Sequence, residues 1–448
     1  MNKKLFIAII VFTCMFSFQG FASGKGDSKG VTAVSANEFL NSMGACSSMS
    51  RRGEILDSTI VCLKYTGLRW IRGGYEDRMP MEDFIRLHNE AGTMFSYGLL
   101  SGGSDIDRLL TGARVLDSIH ALIAFEGANE PNNWKITYQG EKGGGKESWL
   151  PVAKLHRDLY AAVKQDPALK KYPVWSTCEV GAQEDNVGLQ FLTIPEGAGA
   201  LMPAGTTYAD YANCHNYAGH PSWKGLHDNQ TWITSDPGKA CKVDGLYGNF
   251  GRTWKNKFHG YTDEQLLSLP RVTTETGVAM DPETGFTEDI QGRLYLNIYL
   301  SQFKRGWKYT SMYLLKGRAN EPKHEKFAFY KLDYTPKTAA HYMHNFTTIL
   351  ADRKEPSKLK TMNYTIPNQP ETTHDLLLQK SNGNFFLALW GERFASGGTD
   401  DITVQLGKKY NTVKIYDPIV GVAVIKELNN VSAVKLSLSD HPVILEIY

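Results

Sequence analysis

The chain is short of cysteine, of net charge and of long apolar runs, and each shortage closes off a class of function. Of 448 residues only 6 are cysteine, and none stands in the C-x-x-C spacing of a zinc or redox site. Basic and acidic residues nearly cancel, 49 against 47, so no field of one sign exists to recruit nucleic acid or an anionic membrane. His215, His220, His227 and His259 lack the H-x-x-x-H spacing of a helical zinc hydrolase. Gly140 to Glu147, GEKGGGKE, nearly matches a phosphate loop, but it follows no strand and ends in Glu147 where Ser or Thr must reach magnesium. It reads as a flexible loop, and neither a metal nor a cofactor is expected.

The one long apolar run, Leu5 to Phe18, is short for a membrane span. Lys3 and Lys4 precede it and Gly20-Phe21-Ala22 follows, the pattern of a secretory signal peptide (1–22) cut after Ala22, with export to the periplasm or outside the cell. Cys14 falls inside that segment, and Val11-Phe12-Thr13 before it lacks the small residues of a lipidation site. SGKGDSKG then opens a flexible leader over 23–35. Five cysteines remain, an odd number for an exported chain. Cys46 with Cys62 is the favoured bridge, Cys214 with Cys241 a weaker second, and Cys178 is expected to be buried and structural.

What is abundant is alternation. From Phe39 onward short apolar strands alternate with amphipathic helices, the pattern of an α/β fold with a parallel sheet and crossover helices. Strands are expected to begin near Leu40, Leu68, Met94, Ala121, Val174, Tyr211, Val272 and Tyr309, and eight such units make a (β/α)8 barrel over 36–352. In WLPVAKLHRDLYAAVKQDP the apolar Val152, Leu155, Leu159 and Val163 share one helical face, and Pro167 stops the run. RKEPSKL, spanning 353–359, reads as a linker. From 360 to 448 the pattern turns to alternating strands, with Asn382-Gly383 as a strong hairpin signal, and an antiparallel β-sandwich is expected there as structural support.

Two strings carry the chemistry. FEGANEP ends in Asn129-Glu130-Pro131 and RVTTETG centres on Glu275, each a strand that delivers a carboxylate at its C-terminal end. In a barrel the reacting groups sit at those ends, and two carboxylates from separate strands are the equipment of glycoside hydrolysis.

N-E-P closing the fourth strand and E-T-G closing the seventh resemble the clan A glycoside hydrolases, and EGANEP resembles E-I-W-N-E-P of the family 39 and family 51 branches, with family 5 a further relative. The resemblance covers the barrel and most of the remaining chain. It implies Glu130 as acid/base and Glu275 as nucleophile of a retaining enzyme. It matches Arg72, in RWIRGG, to the arginine that keeps the nucleophile ionised; a structural pair with Glu126 is an equal and compatible reading. It matches His215 and Tyr217, in NCHNY, to a His-x-Tyr pair whose tyrosine bonds the nucleophile, the alternative for His215 being a satisfied core histidine.

The chemistry is consistent with those roles, since one carboxyl must hold a proton while the other stays ionised, and Asn129 can bond a sugar 2-hydroxyl. Two positions depart from the pattern. Ala128 stands in place of tryptophan, and the eighth strand offers Tyr313 where relatives place a tryptophan under the sugar. Long segments after the fourth and sixth strands carry Trp134, Tyr138, Trp149, Trp223, Trp232, Tyr247 and Trp254, as sugar platforms or as loop anchors. The expected partner is a β-linked or stereochemically equivalent polysaccharide or oligosaccharide. A transglycosylase and a non-catalytic glycan-binding barrel are the rival readings, and the sequence carries no signal for oligomeric state.

Overall fold

The computed structural model describes residues 30–47, 53–75, 79–145, 147–178, 192–198, 201–219, 225–236 and 262–448. The expected signal peptide and Cys14 lie outside them. Eight parallel strands form the barrel: β1 (Met43–Cys46), β2 (Trp70–Gly74), β3 (Met94–Leu100), β4 (Leu122–Ala128), β5 (Val174–Trp175), β6 (Ala212–His215), β7 (Arg271–Thr276) and β8 (Trp307–Met312). They pair in the order β6–β7–β8–β1–β2–β3–β4–β5. A parallel bridge from Trp175 to Tyr211 closes the ring between β5 and β6.

Helices α1 (Leu56–Thr66), α2 (Met81–Ala91), α3 (Ile106–Ser118), α4 (Leu150–Gln165), α5 (Glu288–Lys304) and α6 (Thr338–Leu350) pack outside. In α4 the predicted face, Val152, Leu155, Leu159 and Val163, is buried, and the helix stops before Pro167, whose ring and missing N–H cannot continue it. β1 begins later than expected: Leu40 belongs to a short helix, Ala36–Asn41, whose first turn is capped by Ser35 Oγ accepting from Glu38 N at 3.3 Å. Among the described residues no helix is long and apolar enough to cross a membrane.

The C-terminal domain is an antiparallel β-sandwich built from β9 (Thr373–Gln379), β10 (Phe385–Gly391), β11 (Asp400–Tyr416), β12 (Val424–Leu438) and β13 (Pro442–Ile447), and Gly383, at φ 92°, turns the expected β9–β10 hairpin. Segments expected to be separate strands merge into the 17-residue β11 and the 15-residue β12. The leader expected to be flexible over 23–35 is strand from Val31 onward: Val31–Thr32 pairs with Thr361–Met362, and Val34–Ser35 adds a parallel edge to β9. β9 and β10 are apolar on both faces because each face has a core to fill. Leu376, Leu378, Phe386, Ala388 and Trp390 join the core shared with the barrel, while Leu377, Leu387 and Leu389 join the domain's own.

The expected Cys46–Cys62 bridge does not form. Cys46 Sγ lies on the Thr274 carbonyl (3.3 Å) and Ser311 Oγ (3.4 Å), and Cys62 is a buried α1 residue; burial pushes both thiols up to about 12. Cys241, the expected partner of Cys214, lies outside the described residues.

Aromatic rings fill the bottom of the barrel. Trp70 meets Trp175 edge-on at 5.7 Å and Tyr309 at 5.8 Å. The Trp70 ring fits only because β1 carries Gly44 opposite it: a Cβ there would stand 2.3 Å from the indole. Gly44→Ala is therefore expected to destabilise the fold by about 1–3 kcal/mol through overpacking, read as a lower denaturation midpoint in guanidinium. Trp70→Phe in the same chain should recover part of the loss, and an unchanged midpoint for Gly44→Ala would show that the barrel floor is slack.

Candidate active site

Each functional side chain comes from the C-terminal end of a barrel strand or the residues just beyond. β4 runs into Asn129 and Glu130, and Glu130 sits at φ 43°, a left-handed backbone that a glutamate adopts only when its surroundings impose it. Three hydrogen bonds impose it here. Glu130 N donates to the Cys178 carbonyl at 3.0 Å, and its own carbonyl accepts from Asn133 N and Trp134 N at 2.8 Å each. The carboxyl thus enters the barrel mouth, with Oε1 2.7 Å from His215 Nδ1 and Oε2 accepting from Asn133 Nδ2 at 3.2 Å.

Glu275 faces it from β7. Oε1 accepts from Arg72 Nη1 at 2.6 Å and Oε2 from the Tyr217 hydroxyl at 2.8 Å. His215 Nδ1 stands 3.8 Å from Oε2. One oxygen of each glutamate and one nitrogen of His215 lie within 4.8 Å of one another.

Arg72 serves both readings given to it. Besides Glu275 it donates through Nε (2.9 Å) and Nη2 (2.5 Å) to Glu126, which is fully buried, and through Nη2 to Asn129 Oδ1 at 2.7 Å. Burial would lower its pKa, but Glu126, the Cys178 sulfur and Glu275 hold it well above the ordinary value. Burial likewise opposes ionisation of Glu275; His215, Arg72, the Tyr217 hydroxyl and Arg318 outweigh it, and its pKa falls. Tyr217 moves the other way, burial and the Glu275 charge holding its proton in place, so it acts as a donor. Burial works against a charged His215, yet Cys178, Glu275 and Glu130 raise its pKa well above the usual imidazole value. Its Nε2 lies 3.0 Å from Thr274 Oγ1, which in turn meets Asn213.

The remaining predicted residues divide. Asn129 spends its carbonyl on Arg72, and its amide donates to Ser101 Oγ at 3.1 Å, so orienting Arg72 is its visible work. Tyr313 follows β8 directly and lies beside Tyr217, ring centroids 6.3 Å apart, its hydroxyl 2.7 Å from His324 Nδ1 and accepting from Arg318 Nη1 at 2.8 Å. Trp134 is 55% exposed in the turn behind Glu130, open to a ligand. Trp149 and Trp232 are anchors: the first is buried in the barrel's outer core, the second stacks on His374 of the C-terminal domain at 4.1 Å. Trp223, Trp254 and Tyr247 lie outside the described residues. The stretch expected to be a flexible loop begins as a β-hairpin, Ile136–Tyr138 against Glu141–Gly143.

Sequence reasoning missed Thr274 and Asn213, which adjoin the recognised strings, and Cys178, 3.6 Å from Asn129 Oδ1 and 3.7 Å from Arg72 Nη2. It also missed Arg318, Glu321 and His324 beyond β8, although ANEP occurs a second time at Ala319-Asn320-Glu321-Pro322. That second glutamate sits in a loop, paired with Arg318 at 3.1 Å and His324 at 2.9 Å. Glu126, Cys178 and His215, or Glu130, His215 and Glu275, could supply three donors to a metal ion. In each set a carboxylate is already held by Arg72, whose fixed charge opposes a second cation. The arrangement suits chemistry in which an ionised carboxylate, Glu275, faces a second carboxyl group, Glu130.

No family model and no curated protein matches the sequence. Solved structures do match in fold. A family 39 glycoside hydrolase from the gut symbiont Bacteroides cellulosilyticus WH2 aligns at TM-score 0.57 and 16% identity, over 93% of this chain and 82% of that one. A family 51 arabinofuranosidase from Xanthomonas axonopodis pv. citri aligns at 0.53 and 12%, over 94% and 97%. A family 30 subfamily 8 xylanase from Clostridium acetobutylicum aligns at 0.52 and 10%, over 94% and 97%.

Two outcomes test the electrostatics. Arg72→Ala leaves Glu126 buried without its cation and is expected to cost about 3–5 kcal/mol; Arg72→Met with Glu126→Gln should recover most of it, both read by chemical denaturation. The depressed pKa of Glu275 stabilises the fold fully above the unfolded carboxyl value of about 4.3, and that contribution is lost as pH falls through the lower native value. The gap in melting temperature between wild type and Glu275→Gln should therefore shift towards the variant as the solution is acidified below that point. A gap independent of pH would mean that Glu275 is not held ionised.

In its closed ring of eight parallel strands and the strand domain that follows, this chain has the fold of these glycoside hydrolase structures.

Proposed function

We propose that the protein is a secreted, retaining glycoside hydrolase acting on a β-linked or stereochemically equivalent oligosaccharide or polysaccharide. The observation that carries the reading is the approach of Glu130 and Glu275, from β4 and β7, to within 4.8 Å at their nearest oxygens. Retaining enzymes hold their carboxyl groups ~5–5.5 Å apart, and inverting ones need ~6.5–9.5 Å for an attacking water. Export rests on Lys3-Lys4 and the apolar run that follows.

The environments support one assignment of roles. Glu275 is ionised, oriented by Arg72 and Tyr217, and aimed at the anomeric carbon as nucleophile. Glu130 protonates the departing glycosidic oxygen. Once Glu275 is esterified, its charge no longer faces Glu130, which then takes a proton from the water that releases the sugar. His215 lies between the two and bonds Glu130 directly.

The test separates the glutamates. Glu275→Ala should abolish turnover of every substrate. Glu130→Ala should still form the intermediate from an aryl glycoside with a good leaving group, and added azide should restore turnover with retained configuration at the anomeric carbon by NMR. Azide rescue of Glu275→Ala with retention would reverse the roles, and inverted product from the wild type would overturn the mechanism. A polysaccharide panel identifies the sugar, and product analysis with an added acceptor detects transglycosylation. Tight binding of one glycan with no turnover of any would favour a binding barrel.

A further inference from the structure

The C-terminal domain grips the segment that follows β6. Asp228 Oδ1 accepts from Ala395 N (2.9 Å) and Ser396 N (3.0 Å), Asn229 Oδ1 meets His374 Nε2 at 2.9 Å, and Asn229 N donates to the Glu392 carbonyl at 3.0 Å. The strongest hold is the Glu392 side chain, fully buried just past β10. Its Oε2 accepts from Thr231 N at 2.9 Å and Trp232 N at 3.4 Å; its Oε1 accepts from Thr231 Oγ1 and from Ser301 Oγ of α5 at 3.2 Å.

The short helix it grips, Gln230–Thr234, passes the constraint inward. Gln230 Nε2 donates to the Ala218 carbonyl at 2.8 Å, and the Thr234 carbonyl accepts from Asn216 Nδ2 at 2.9 Å. Asn216 lies between His215 and Tyr217. Gln230, Thr231 and Asn216 are fully buried, so no solvent contact relaxes the path. From the other side Thr273 and Thr276 of β7 bond Asn216 Oδ1 (3.0 Å) and its carbonyl (3.1 Å).

We propose that Glu392 is a positioning residue for the active site: through the helix Gln230–Thr234 it fixes the segment His215–Ala218, whose His215 and Tyr217 hold Glu130 and Glu275. The activity arm of this inference rests on the glycosidase reading; its structural arm does not. Glutamine is a close mimic of the acid. Burial pushes the Glu392 carboxyl up to about 7 against the pull of Thr231 and Ser301. Two of its partners are hydroxyls, which can turn to accept from an amide, while the glutamine carbonyl accepts from Thr231 N.

Glu392→Ala is expected to lower kcat by roughly 10- to 100-fold, the scale of an ångström of misplacement, with KM little changed because His215 and Tyr217 bond catalytic carboxylates. Glu392→Gln should keep kcat within a few-fold of wild type. Arg293→Ala, which breaks the separate interdomain pair with Asp440 (2.7 Å), should lower stability and leave kcat alone. Amide exchange read by mass spectrometry should quicken at 213–218 and 230–234 in Glu392→Ala and not in Arg293→Ala. That readout needs no substrate, so it stands even if the wild type hydrolyses no glycoside. If Glu392→Ala does not fold, Thr231→Val, which removes one hydroxyl partner, should give a smaller fall in kcat with quickened exchange at 213–218. The inference is overturned if the variant that folds keeps wild-type kcat and exchange, if Glu392→Gln is as damaged as Glu392→Ala, or if Arg293→Ala loses kcat equally.

Discussion

A single guanidinium inside the barrel makes the rest of the site possible. A carboxylate taken out of water costs several kcal/mol unless it is paired and hydrogen-bonded, and this barrel holds the fully buried Glu126 and the partly buried Glu275 within reach of the same cation. Arg72 uses Nε and Nη2 on Glu126, Nη2 on Asn129 and Nη1 on Glu275. Glu126 thereby fixes the plane of the guanidinium, and the plane fixes Glu275. The structural pairing of Glu126 and the ionisation of Glu275 are one interaction seen from two ends. His215, its pKa raised well above the usual imidazole value, sets a second cation beside the same carboxyl groups.

The fold class was legible because helical and strand periods alternate cleanly, and the two glutamates because each closes a string that ends a strand. RVTTETG was legible by motif alone. Val272 is its single aliphatic residue, and its three buried threonines earn their places by hydrogen-bonding Asn213, Asn216 and Gln302. The motif without its context misleads: ANEP occurs twice, and what separates Glu130 from Glu321 is that the first ends β4 while the second sits in the loop beyond β8.

Other features were hidden for identifiable reasons. Cys46 and Cys62 are near in sequence, but β1 and α1 carry them to opposite sides of the sheet wall, one to the barrel mouth and one to the outer core. Trp149 and Trp232 have the composition of sugar platforms, yet the loops holding them have their own apolar surface to bury, and it is buried against the helical layer and His374. Glu392 and Thr231 are 161 residues apart, and no local pattern marks a carboxylate whose partners come from another domain.

That last contact bears on why the barrel carries a second domain. Ordering a residue costs ~1–2 kcal/mol of backbone entropy, and the stretch between β6 and β7 is long. Its described parts contain only two short helices, Gln230–Thr234 and Asp263–Ser268, of 5 and 6 residues. Such helices are too brief to stand alone. The first is instead held from outside by Glu392, His374 and the stacked Trp232, and from below by Arg305, whose Nη1 donates to the Trp232 carbonyl at 2.9 Å. The sandwich supplies buried surface and acceptors that hold this helix in place. It does so directly behind the end of β6, where His215 and Tyr217 reach Glu130 and Glu275.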